Sequence, residues 1–388
     1  MATAIDQVRE SAQRVVESGA IKVCTYCYTR GSSSDSQISD EAISTLLTAI
    51  NPSTFTKLSN NHGYNLPLKY SSIDEELCIV GLLTALNYGS GYRSILHKHT
   101  KMGAFDNIKR FILALFLSKD SGFLTADGLA NFTLDHTIEL MNINPFNEHP
   151  HPTLPGVVVG EKDEMAFEFI TLVMSTLNEI GSTLQQLGVD CFGSYLKHTF
   201  SKANDANDVV MELVTRFDCF RDEYVVSIDD KPITVKLYKK ALLMVEVVNT
   251  VLKKHSLTPA PAKLPIFADN VIPSMLLHWN VIEIPENSEI FGAEVRHAFS
   301  HTTEKYEEMV DGLREEQKKD LLGEKVAGPA LTPLQACILR SSAVEAIRRM
   351  SVRSTATEVE YDGFIWSVSK QGQYRSLVRF SEIRTVYY

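Results

Sequence analysis

The stretch MAFEFITLVMSTLNEIGSTLQQL, Met165 to Leu187, decides the fold class. Apolar residues recur along it at helical spacing for about six turns, and no proline interrupts them. A helix of that length buries its stripe only against other helices, so the neighbours should read the same way. They do. Upstream, helical spacing predicts helices over Ile5 to Val16, Asp40 to Ile50, Ile73 to Tyr88, Phe105 to Leu117 and Leu134 to Met141. Downstream it predicts Val209 to Phe217, Leu237 to Leu252 and Pro333 to Met350, the last opened by Thr332. Glu304 to Leu322 is so charged that it reads as a solvated helix.

The period changes at one place. Glu223-Tyr224-Val225-Val226-Ser227-Ile228 and Pro232-Ile233-Thr234-Val235 are β-branched runs around Asp229-Asp230-Lys231, the pattern of a hairpin. Two segments read as loops. One is 30–40, containing Gly31 and a serine run; the other is 144–161, with prolines at 145, 150, 152 and 155. The expectation is a mainly α-helical fold with a small β-hairpin, forming a single domain over 1–388.

Composition narrows the function classes. The chain has 388 residues, 44% hydrophobic and 22% charged, ordinary for a globular protein. No apolar run reaches about 18 residues, so no membrane span is expected. The N-terminus lacks the basic and apolar regions of a secretory signal. Six cysteines spread over this length suit a reducing compartment, which points to the cytoplasm, with the nucleus still open. A net charge of −10 argues against broad binding to a phosphate backbone and for a small-molecule partner.

Most apparent motifs dissolve on inspection. Cys24-x-x-Cys27 is half of a zinc site with no second half nearby. His297 and His301 stand four apart on an expected helix, but without the glutamate of a metalloprotease. Gly89-Ser90-Gly91 lacks a third glycine and follows a helix, so it is not a dinucleotide fingerprint; a helix end and turn is the plain reading. Neither a metal nor a cofactor is expected.

Three charged residues keep chemical interest. Leu264-Pro265-Ile266-Phe267-Ala268-Asp269-Asn270, before Val271-Ile272-Pro273, puts a carboxylate between an aromatic ring and the first turn of a helix. The free N–H groups there favour the ionised form, as a catalytic carboxylate requires; a plain helix cap uses the same residues. Lys239 sits in an apolar helix, where a buried ammonium needs an anion, unless it snorkels to the surface. Asp362, in Tyr361-Asp362-Gly363-Phe364-Ile365-Trp366, offers an acceptor beside aromatic rings; a turn or cap is the alternative.

At these residues the chain resembles the queuosine salvage proteins, the queuosine 5′-phosphate N-glycosylase/hydrolase family. The matching segments run in the family's order. They are Leu86-Asn87-Tyr88, Leu177-Asn178-Glu179 with Gly181, Phe220-Arg221-Asp222, Tyr238-Lys239-Lys240-Ala241, Phe267-Ala268-Asp269 with Pro273, Asp362 to Trp366, and the terminal Ile383-Arg384-Thr385-Val386-Tyr387-Tyr388. The resemblance runs from about Leu86 to the end. It departs from the family at Ser367, where the family has a second Asp, and over Cys24 to Arg30.

The resemblance implies a helical fold similar to helix-hairpin-helix DNA glycosylases and the release of queuine from queuosine 5′-phosphate, for salvage into tRNA modification. It implies Asp269 as the catalytic carboxylate, either nucleophile or electrostatic partner of the sugar cation. Phe267 and Lys239 would line the pocket around it. Asp362, Phe364, Trp366 and Ser367 would form the base-recognition segment, and Asn87 and Tyr88 would join the substrate site. Lys239 would either keep Asp269 ionised or meet the 5′-phosphate. Two other classes share these residues: a DNA-glycosylase-like base-excision enzyme, disfavoured by the charge, and a catalytically inactive nucleotide-binding helical protein.

Overall fold

The computed structural model describes residues 2–18, 22–23, 40–60, 63–228, 231–286, 288–315 and 328–388. The Cys24–Cys27 pair, the loop expected at 30–40 apart from Asp40, and the Asp229-Asp230 turn lie outside the described residues. Helices dominate, with three two-stranded sheets among the described residues. The backbone groups into two compact units. Unit 1 comprises Met1–Asn65, Asp222–Leu242 and Lys263–Glu382; unit 2 comprises Leu66–Arg221, Leu243–Ala262 and Ile383–Tyr388.

Unit 1 opens with α1 (Ala4–Glu17), whose Thr3 and Asp6 form a capping box, then β1 (Lys22–Val23), α2 (Asp40–Ala49) and α3 (Pro52–Leu58). Unit 2 follows with α4 (Ile73–Ala85), α5 (Arg93–Thr100), α6 (Ala104–Leu117), α7 (Ala126–Ala130) and α8 (Leu134–Met141). The ribbon β2 (Phe146–Pro150) and β3 (Val158–Lys162) precedes α9 (Glu164–Leu187), α10 (Phe192–Lys202) and α11 (Ala206–Arg216).

The chain then returns to unit 1 through the hairpin β4 (Glu223–Ile228) and β5 (Lys231–Lys236), antiparallel with Tyr224 opposite Val235. Helix α12 (Lys239–Lys254) starts in unit 1 and continues in unit 2 after Leu242. Unit 1 resumes with α13 (Val271–His278), β6 (Ile282–Glu283) paired with β1, α14 (Ala293–Phe299), α15 (Thr303–Asp311), α16 (Pro333–Val352) and α17 (Glu358–Val368).

Four expectations change. The stretch 144–161 is not a loop: Val158 and Val159 pair with Pro150 and His149 in an exposed antiparallel ribbon, and the prolines fall at its ends and turn. The helix expected to reach Tyr88 ends at Ala85, because Gly89 must adopt φ +104° and a side chain there would strike the Phe169 ring at 2.5 Å. Helix α14 stops at Phe299, so His301 is off it; His301 instead meets the buried His278 at 2.7 Å. Of the charged segment Glu304 to Leu322, the described part closes its helix at Asp311, before Gly312, and buries Met309 and Val310, while 316–322 lie outside the described residues. Among the described residues no helix is long and apolar enough to cross a membrane.

Candidate active site

The site is built where unit 1 buries charge. Helix α16 carries Arg340 in the middle of an apolar run, and its guanidinium is fully buried. It makes a bidentate pair with Asp222, Nη1 to Oδ1 at 3.0 Å and Nη2 to Oδ2 at 2.5 Å. Its Nε donates to the Ala268 carbonyl at 2.8 Å. A planar fork is the group that can serve a carboxylate and a third acceptor together. Asp222 also accepts the Lys239 backbone N–H at 3.2 Å, at the first residue of α12. The turn before α12 places Tyr238 at φ +49°, an unfavourable conformation for a side chain of that size, held while its hydroxyl donates to Glu223.

The Phe267–Asn270 segment is fastened at three points. Phe267 N–H donates to Asp362 Oδ2 at 2.8 Å, Ala268 O accepts from Arg340, and Asn270 Nδ2 donates to the Phe380 carbonyl at 2.8 Å. Asp269 follows as a half-buried carboxylate. Its Oδ1 accepts the N–H groups of Val271 at 2.6 Å and Ile272 at 3.3 Å. The capping role read from spacing is therefore real, and it fixes the carboxylate at the positive end of α13.

Lys239 is buried, 3% exposed. Burial is the largest influence on its ammonium and brings it down to about 8, with Lys240 and Arg340 pushing the same way; the charges of Asp269 first and Asp362 second oppose this. Of the charges that favour the buried ammonium, Asp269 is therefore the foremost.

The remaining positions separate. Asp362 is neither cap nor turn: it lies within α17, 5% exposed, where Thr357 and Glu360 form the capping box. Phe364 is also buried but stacks at a tilt on Phe55, with 5.2 Å between ring centres. Two residues apart on a helix means about 200° around its axis, so Asp362 and Phe364 go to different neighbours. Lys370 places its ammonium over the Trp366 ring, and Ser367 is buried. Asn87 and Tyr88 belong to unit 2, where the Tyr88 hydroxyl shares a 3.0 Å hydrogen bond with Thr176 and its ring meets Phe169 edge-on.

Sequence reasoning missed Arg340, and met Asp222 only as part of a motif. The signal was available: an arginine amid Cys337-Ile338-Leu339 and Ser341-Ser342-Ala343-Val344 is a charge in a core helix and demands a partner.

These features define a mainly helical protein with a half-exposed carboxylate mounted on a buried lattice of charges. A family model described as queuosine salvage protein matches residues 126–388, more than half of the chain, and the chain belongs to that family. The match begins after Leu86-Asn87-Tyr88 and takes in the ion pair, Lys239, the Asp269 segment and the terminal tyrosines. No curated protein matches the chain.

Proposed function

We propose that the chain hydrolyses the N-glycosidic bond of queuosine 5′-phosphate and releases queuine, with Asp269 as the catalytic carboxylate. The observation that carries this reading is the setting of Asp269. It is half-exposed, anchored through one oxygen to two helix amides, beside a buried lysine, on a backbone segment fastened at three points. Such a group is preorganised to face developing positive charge on a sugar carbon, by attack or by electrostatic stabilisation.

Queuine is a 7-deazaguanine, so protonation at N7 cannot ease its departure. Catalysis then rests more heavily on the sugar side, where Asp269 stands. Lys239 brings a positive charge toward Asp269, which is the strongest of the charges that favour its ammonium. Phe267, buried two residues before the carboxylate, is assigned to the pocket wall on the resemblance. Asp362 holds the Phe267 amide, and any acceptance of a base edge is a second duty of that carboxylate. Water adds its hydroxyl to the sugar carbon and its proton to the base, giving queuine and a ribose phosphate. The net charge of −10 favours a free nucleotide over a duplex as substrate.

Incubation of the purified protein with queuosine 5′-phosphate, followed by mass spectrometry for free queuine, tests the reading. Release that vanishes in Asp269→Asn supports it. Folded protein that binds the nucleotide and releases no queuine leaves a binding protein instead.

A further inference from the structure

Helix α1 lies outside the 126–388 stretch matched to the family, and the glycosidase reading gives it no role. Its apolar residues Ile5, Val8, Ala12 and Val15 are buried and fall on one stripe at helical spacing. At about 100° per residue, Gln7 and Ser11 flank that stripe on one side and Arg9 flanks it on the other. The helix packs against β5 and against α16, which carries Arg340.

On the first flank, the Ser11 hydroxyl accepts the Lys236 N–H at 3.1 Å, lies 3.4 Å from the Lys236 carbonyl and donates to the Val8 carbonyl at 3.1 Å. The Lys236 ammonium donates to Gln7 Oε1 at 2.7 Å and stands 3.6 Å from Glu223. Lys236 closes β5, three residues before Lys239. On the second flank, Arg9 Nε and Nη2 both donate to Glu358 Oε1, at 3.1 and 2.7 Å. Arg9 Nη2 also donates to the Lys263 carbonyl at 3.0 Å. Lys263 stands six residues before Asp269, and the chain between them passes through Pro265, stiff in φ, and the buried Leu264 and Ile266. Glu358 and Asp362 are one turn apart on α17. That helix therefore holds both ends of 263–267, with Asp362 on the Phe267 amide directly and Glu358 on Lys263 through Arg9.

We propose that α1 is a clamp that sets the placement of Lys239 relative to Asp269, with Arg9 and Ser11 as positioning residues. Each of the two charged groups sits on a segment that leaves α1 within six residues, and the two exits lie on opposite flanks of one helix. A shift of α1 displaces both. Arg9 suits the task because its fork reaches a carboxylate and a backbone carbonyl together, which a single ammonium does less well. The clamp adds no group to the reaction. It rests on the glycosidase reading only in taking Asp269 and Lys239 as parts of one site.

The test pairs amide hydrogen exchange with kinetics on the full-length protein. Arg9→Met alone strands Glu358 as a buried charge and lowers stability throughout. The informative variant is Arg9→Met with Glu358→Leu, which leaves no lone charge and no donor for the Lys263 carbonyl. In it, amides of 263–272 should exchange at least about tenfold faster while those of α9 keep their rates. Ser11→Ala should do the same to 236–242. Arg14→Met, an exposed change on the same helix, should leave both segments as they are. With queuosine 5′-phosphate, the double variant and Ser11→Ala should each lower kcat at least about tenfold and hold KM within about twofold, because misplaced reacting groups cost rate more than binding. Unchanged exchange in both segments, or a rise that α9 shares, overturns the clamp. Faster exchange with kcat at the wild-type value removes Arg9 and Ser11 as positioning residues. Exchange is read without substrate, so a wild-type protein that releases no queuine sinks the glycosidase reading while the exchange still judges the clamp.

Discussion

The two units solve the same packing problem with different materials. Among the described residues, unit 1 buries eight Asp, Glu, Lys or Arg side chains: Asp222, Lys239, Lys240, Arg340, Glu345, Glu358, Asp362 and Glu382. Unit 2 buries one, Glu76, which meets Lys254 and His255. Its interior is instead aromatic and aliphatic, with Phe192, Tyr195, Phe217 and Phe220 in edge and stacked contacts. Apolar burial stabilises by area and tolerates adjustment, whereas a buried charge is costly unless partners and geometry are right. A fold that keeps eight such groups in one unit is using them for position and electrostatics, which stability alone does not require. The glycosidase reading places its chemistry there.

The largest effect should come from breaking the charge lattice. Arg340→Met leaves Asp222 buried and unpaired and should cost about 3–5 kcal/mol in urea unfolding. The double substitution Asp222→Leu with Arg340→Met should recover much of that loss, because no lone charge is left behind. A cavity in unit 2 such as Leu177→Ala should cost about 2–5 kcal/mol, with no second-site polar remedy. If the double variant is no more stable than Arg340→Met, the distinction between the units fails.

At Asp269 the effect should be on rate and not on folding. Asp269→Asn retains an oxygen for the Val271 and Ile272 amides yet loses the charge, so turnover should fall at least about 10²–10³-fold with the melting temperature nearly unchanged. Retained turnover would remove Asp269 from the mechanism.

Asp362 distinguishes positioning from base recognition. Asp362→Ala leaves the Phe267 N–H without its acceptor and should cost about 1.5–3 kcal/mol, seen in the melting temperature. Asp362→Asn keeps an acceptor and should recover part of it. Loss of affinity for queuosine 5′-phosphate in the Asn variant, at unchanged stability, would assign the carboxylate to the base as well.

The smallest effect is a slope with pH. Lys239 is brought below its ordinary 10.5 to about 8, so between those values the unfolded chain binds this proton more tightly than the folded one. Its contribution to stability therefore rises with pH through that window. If the ammonium serves Asp269, kcat/KM falls across the same window, by up to tenfold per pH unit. Opposite slopes support the pairing; parallel slopes break it, and Lys239→Met should abolish both.

How much of this was legible in the sequence depends on the range of the interaction involved. Helix periodicity, Thr332 as a cap, and the hairpin from Glu223 are set by neighbours in the chain; the cap and the hairpin appear where the reading put them, while several helix ends shift by three residues or more. The 146–162 ribbon escaped because its prolines mark turns strongly while its pairing partner stands about a dozen residues away. Asp269 was legible as a carboxylate at a helix start, since capping is local.

Its supports were not. Arg340 reaches Asp222 across 118 residues and Ala268 across 72, and Asp362 reaches Phe267 across 95. The sequence by itself determined the helical elements, the hairpin and the presence of charges that burial would force into partnership. Only the tertiary structure decided which partners they took, because pairing across such separations depends on how helices pack and not on spacing along the chain.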